Sequence, residues 1–257
     1  MKKKANVNPL VALVLVIVLV VACIVALKEL INPKIKYIDV SLTSAARSRM
    51  QISGMDETEF IRHSNLLGKN YLKHKGFYED AKNRIDGMGF YILTELKMTG
   101  RRSVTLFIDA RQPMAIVSSG GKYITVDRDA HVLEIAMERT KGLILINGVV
   151  LKNPKTGQTA SETTSYLSDA LEIASIITEN RYDGVFTEIT MRENKEVFLK
   201  TNVSVPVIIN LRYDVLSSLD IAKSMLDKGI TEGQIVIAGD YGYSIPDDQS
   251  GTYIRGM

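Results

Sequence analysis

The side chains best suited to proton chemistry near neutral pH are His63, His74 and His131, and their spacing argues against such a use. They lie far apart, and none falls in an HxxxH or HExxH pattern that would put two imidazoles on one helix face. Each is expected to be a solvated surface residue. Serine nucleophiles need a strained elbow or a nearby base, and the chain has no G-x-S-x-G motif. The segment Gly120 to Tyr123, GGKY, is not a phosphate loop. It lacks the upstream glycine and the Ser/Thr that follows the lysine. Carboxylates pair at Asp127/Asp129 and Asp247/Asp248, but acid–base work requires a cleft that drives their pKa values apart. Asp127 and Asp129 read as turn residues. The lone cysteine, Cys23, excludes an intrachain disulfide and a cysteine-rich zinc site. The expectation is a protein with no catalytic residues, no metal ligands, no cofactor and no small-molecule substrate.

Composition supports this. The 257 residues carry a net charge of +3 with 24% charged side chains, so neither disorder nor a nucleic-acid footprint is indicated. The length suits two ordinary domains. Leu10 to Leu27 contains no charged or strongly polar side chain. As a helix this run would span about 27 Å, close to the hydrocarbon thickness of a bilayer. Lys2, Lys3 and Lys4 precede it, which keeps that end cytoplasmic by the positive-inside rule. A lipoprotein signal is the nearer rival, because VVAC ends at Cys23, but the residues after Cys23 stay apolar. The expected layout is a cytoplasmic tail (1–9), a transmembrane helix (10–31), two extracytoplasmic domains (34–117 and 118–245) and a flexible C-terminal tail (246–257).

In the first domain, Lys34 to Leu42 alternates as a strand, and Asp56 with Glu59 forms a capping box for a helix ending at Gly68. A second helix places Phe77, Ala81 and Ile85 on one face. Two alternating runs around Thr99 to Arg102 form a hairpin, giving a βααββ unit. Beyond Pro113 come a hairpin around Asp127 to Ala130, a strand into Gly148, and a helix from Ser161 to Asn180. A hairpin turning at Arg192 to Lys195 and a strand VSVPVIINL follow. Next is a serine-capped helix that stops at Gly229. One last strand covers Gln234 to Ile245. The fold class is α+β, with a mixed sheet and two helices in the second domain.

Several of these segments resemble the FtsQ/DivIB family of bacterial cell-division proteins. Val104, Leu106, Ile108, Arg111, Pro113 and Ala115 match the strand that closes that family's membrane-proximal POTRA domain. Tyr123, Val126, Asp127 and Val132 match the hairpin that opens its β domain, and Ile144, Ile146 and Gly148 the strand after it. Ala130 departs from the family's turn glycine, so that hairpin must avoid a left-handed residue or bear strain. The resemblance implies a non-enzymatic, bitopic divisome scaffold in the cell membrane at the septum, binding partners of the FtsL and FtsB/DivIC type. It implies a partner surface at Gln234, Val236, Ile237, Gly239, Tyr241 and Tyr243, with Ser224 and Lys228 from the preceding helix. Arg111 and Pro113 are then domain-junction residues. The competing expectation is an envelope-anchored lipoprotein or sensor that binds a small ligand.

Overall fold

The computed structural model describes residues 9–31, 33–70, 76–163 and 165–246. His74, Asp247 and Asp248 lie outside these described residues. Helix α1 runs from Pro9 to Ile31 and contains the whole apolar run. Its described side chains, at Val11 and 13–28, are exposed. Among the described residues no helix is long and apolar enough to cross a membrane.

Contacts divide the chain into two units, Met1–Ile85 with Ile92–Ala110, and Asp86–Tyr91 with Arg111–Met257. In the first unit, β1 (Tyr37–Leu42) pairs in parallel with β3 (Ser103–Ala110), which also neighbours β2 (Tyr91–Met98). Three helices lie between β1 and β2: α2 (Ser44–Ser53), α3 (Glu57–Ser64) and α4 (Phe77–Asp86). The expected order had two. The sequence around α2 is polar and shows no apolar period, so its helix is set by its ends. The Thr43 hydroxyl accepts from the Ala46 N–H, and Gly54 closes the helix in the left-handed region. The carboxyl of Asp56 caps α3 as expected, but the helix stops at Ser64, where Asn65 takes the left-handed cap that Gly68 was expected to supply. Phe77, Ala81 and Ile85 are buried, as their spacing required.

The second unit is built on a nine-stranded mixed sheet in the order β12-β11-β10-β9-β8-β7-β4-β5-β6. Its strands are β4 (Ala115–Ser119), β5 (Lys122–Val126), β6 (Val132–Ala136), β7 (Ile144–Asn147), β8 (Phe186–Met191), β9 (Glu196–Thr201), β10 (Pro206–Asn210), β11 (Gln234–Ala238) and β12 (Tyr241–Ile245). Strand pairing thus puts residues 115–117, expected at the end of the first domain, in the second sheet. Two helices, α5 (Leu167–Glu179) and α6 (Val215–Asp227), supply apolar side chains to the same core as the sheet, among them Leu171, Ala174, Leu219 and Ala222.

Both helices start differently from expectation. α5 begins at Leu167 rather than Ser161, because 159–162 is tied down by bridges to His131 and Leu151. Its first N–H groups are met by the Glu162 carboxylate, which accepts from Leu167 at 2.9 Å and from Tyr166 at 2.8 Å. α6 is capped by Asp214 instead of a serine, its carboxylate accepting from the Ser217 N–H at 2.7 Å.

Candidate partner-binding edge

The run from Gln234 to Ile245 is two strands where one was expected. β11 and β12 form an antiparallel hairpin closed on the pair Ala238–Tyr241, with Gly239 and Asp240 as its loop. Gly239 has φ +72°, a left-handed conformation at the first loop position that glycine adopts without steric penalty. The sequence carries a signal for the reversal that a one-strand reading passes over: Gly239-Asp240, a two-residue turn pair, sits between the runs IVIA and YGYSI. The consequence is positional. β11 is an interior strand, paired in parallel with β10 through Val207–Ile235 and Ile208–Val236, and β12 is the sheet edge.

The register sets what each proposed partner residue does. Ile235–Ser244 and Ile237–Gly242 pair on one face, where Ile237 is buried. α6 packs there so closely that a Cβ on Gly242 would lie 2.6 Å from Met225 Sδ and 3.0 Å from Ile221 Cγ2. Ser224 and Lys228 are exposed on α6 and at its C-terminal cap, where the Lys228 N–H donates to the Ser224 carbonyl. On the opposite face, Phe198, Ile208, Val236 and Tyr243 stand side by side across β9, β10, β11 and β12. All four are half-buried. The Arg192 guanidinium stacks 3.6 Å over the Phe198 ring and closes the inner end of this row. Its outer end is the half-buried Tyr243, next to Tyr241, which is 65% exposed. Gln234 is buried beside Ile245, and its Nε2 has no hydrogen-bond partner.

In a two-residue hairpin the pair beside the loop is hydrogen bonded, and such pairs alternate along the ladder. From Ala238–Tyr241, the N–H groups of Tyr241, Tyr243 and Ile245 therefore point at β11. Those of Gly242 and Ser244 point away from it, where no described strand pairs with β12. This is a row of main-chain donors and acceptors beside an apolar ladder, the surface that an added strand needs.

The junction residues sit in a second constellation. Between β3 and β4, the Arg111 N–H donates to the Phe90 carbonyl and the Met114 N–H to the Val126 carbonyl. Pro113, with no N–H, separates the two strands. The Arg111 guanidinium donates to Asp127 Oδ2 at 2.9 Å and lies 3.8 Å from Asp86 Oδ2, with all three side chains largely buried. Asp127 is therefore more than a turn residue. Its Oδ1 accepts from the Asp129 and His131 N–H groups while Oδ2 holds the arginine.

His131 corrects the expectation of a surface histidine, since it is only 8% exposed. Burial, and then the Arg111 charge, push its pKa below the ordinary 6.5, opposed by Asp127 and Asp86. His131 Nε2 and Arg111 Nε are buried without partners. Sequence reasoning missed this cluster because its members are up to 45 positions apart. The one available signal was an Arg-x-Pro followed by an aspartate at a strand end. Ala130 closes the same turn at φ +59°, so the hairpin bears the left-handed strain.

Other chemistry is sparse. Among the described residues no group of three His, Cys, Asp or Glu side chains could hold a metal ion. A cleft of about 300 Å³ between α5 and the start of α6 is lined by Asp169, Glu172, Lys195 and Tyr213 among others. Its charged groups of both signs differ from the apolar walls typical of small-ligand pockets.

No protein-family model matches the chain, and no curated protein matches it. Among solved structures it is similar to the major extracytoplasmic domain of the trans isomer of the bacterial cell division protein DivIB from Geobacillus stearothermophilus. The identity is 16%, the TM-score is 0.28, and the match covers 47% of this chain and 97% of that one. A score this low establishes no shared fold.

Proposed function

We propose that this chain is a non-enzymatic scaffold of the bacterial divisome, anchored by α1 with its larger part outside the cytoplasm. In this reading it captures an extended segment of an FtsL- or FtsB/DivIC-type protein along β12. The observation that carries the proposal is the β12 edge, unpaired by any strand among the described residues, in register with the half-buried row Ile208, Val236 and Tyr243. Main-chain bonds to such an edge give affinity, and alternate side chains on an apolar row give selectivity. The sequence motifs around Arg111 and Asp127 support the family assignment, and the apolar run Leu10 to Leu27 supports the anchor.

The hairpin geometry defines the test. Ser244→Pro removes an N–H that faces away from β11 and should abolish co-purification of an FtsB/DivIC-type partner while the hairpin stays folded. Tyr243→Pro removes a bond to β11 and should unfold the edge. A folded Ser244→Pro protein that keeps its partner rules out strand addition at β12. Normal division after depletion of the protein in its host rules out the divisome role.

A further inference from the structure

One end of the first unit is strongly basic. Three separate segments meet there. The Lys36 and Tyr37 N–H groups donate to the Arg102 carbonyl, the Ile35 N–H donates to the Lys69 carbonyl, and Lys34 bridges to Asn70. Lys34, Lys36, Lys69, Arg101 and Arg102 are thereby gathered at the start of the β1–β3 pair. Segments 33–37, 65–70 and 97–105 contain no Asp or Glu, and the first acid along β1 is Asp39. Two large side chains stand exposed among these charges, Tyr37 at 65% and Leu67 at 54%.

This end is also where the chain leaves α1. Between Ile31 and Tyr37 an extended backbone reaches at most about 20 Å. Wherever α1 meets a bilayer, the basic end is held close to the headgroups. Cations flanked by tyrosine and leucine fit an interface with a negative surface and an apolar layer beneath it.

We propose that this basic end docks on anionic phospholipid headgroups of the membrane that holds α1. The docking rests on the anchor reading given above. It would restrain the first unit against the bilayer instead of leaving it swinging on its linker. Each Lys or Arg near an anionic leaflet favours the docked state by about fivefold, and the effect fades beyond a Debye length of about 8 Å at physiological salt.

The test uses the full chain in lipid nanodiscs, with Leu67→Cys labelled by a polarity-sensitive dye in a Cys23→Ser background. Discs containing one-third phosphatidylglycerol should brighten the dye about twofold over pure phosphatidylcholine discs, an effect that high salt should remove because it is electrostatic. The combined Lys34→Glu, Lys36→Glu, Arg101→Glu, Arg102→Glu variant should lose it. The milder Lys34→Gln, Lys36→Gln pair should reduce it and serves as the readout if the reversal does not fold. Equal emission in the two lipids, or a rise that the variants leave unchanged, overturns the proposal. So does brightening in phosphatidylcholine discs on adding a poly(glycerol phosphate), which would mean an anionic polymer site instead of a lipid one. Alkaline washing of host membranes tests the anchor separately. Release of the chain overturns both readings, whereas retention with a lipid-insensitive dye overturns only the docking.

Discussion

Ala130→Gly is expected to stabilise the second unit, although it deletes a methyl group that packs partly against the core. Ala130 sits at φ +59°, closing the turn in which its N–H donates to the Asp127 carbonyl. A left-handed conformation costs an L-residue with a Cβ about 1–2 kcal/mol, and glycine avoids that cost. Against this, glycine loses about 0.4–1 kcal/mol more unfolded-state entropy on folding. Removing a partly buried methyl costs a further few tenths, as a fraction of about 0.8 kcal/mol per buried CH₂.

Strain relief wins by about 0.5 kcal/mol, and a unit of this size should gain about 1–2 °C in melting temperature. The sign is made decisive by a control. Ala136→Gly, in β6 and outside the left-handed region, loses the same entropy and part of a methyl without relieving strain, and should destabilise by about 1 kcal/mol. Thermal melts of the full chain followed by circular dichroism would read both variants. The difference between them, about 1.5 kcal/mol, is the strain itself. If Ala130→Gly falls as far as Ala136→Gly, the Asp127–Ala130 turn carries no left-handed strain.

Arg111→Ala should destabilise the second unit by about 3 kcal/mol, because it removes the cation that the largely buried Asp127 carboxylate accepts from. Adding Asp127→Asn to it should cost less than the sum of the singles, as read by a double-mutant cycle in urea melts. His131 should make stability fall on acidification. Its folded pKa lies below the unfolded 6.5, so its contribution is complete above 6.5 and is lost as pH drops through 6.5 towards the folded value. Melting temperatures between about pH 8 and about pH 5 should show the decline, and His131→Gln should flatten that part of it. Gly242→Val places a Cβ within 3.0 Å of Met225, Ile237 and Ile221, so overpacking should cost about 1–3 kcal/mol, loosen α6 from β12 and weaken partner capture in the same pull-down.

Much of the local structure was readable because its causes are local. Asp56 caps a helix through its own neighbours' N–H groups, and Phe77, Ala81 and Ile85 share a face by helical geometry alone. The turns at Thr99 to Arg102 and Arg192 to Lys195 interrupt alternation with turn residues, so both hairpins were visible. The limits of α5 were not, since Ser161 and Glu162 are recruited by Leu151 and Lys152, a contact the helix pattern does not encode.

The α+β class and the apolar N-terminal run are legible in the sequence, whereas the C-terminal partner surface is proposed from the family resemblance. Tertiary pairing settles which strand of its hairpin is interior: β11 lies against β10, and β12 ends the sheet among the described strands. The turn itself is signalled by Gly239-Asp240, but the interior place of β11 follows from its pairing with β10, a contact between segments distant along the chain. Tertiary structure likewise turned Arg111, Asp86, Asp127 and His131 into one buried cluster. A charged side chain becomes structural only when distant segments exclude water from it, and no spacing along the chain reports that.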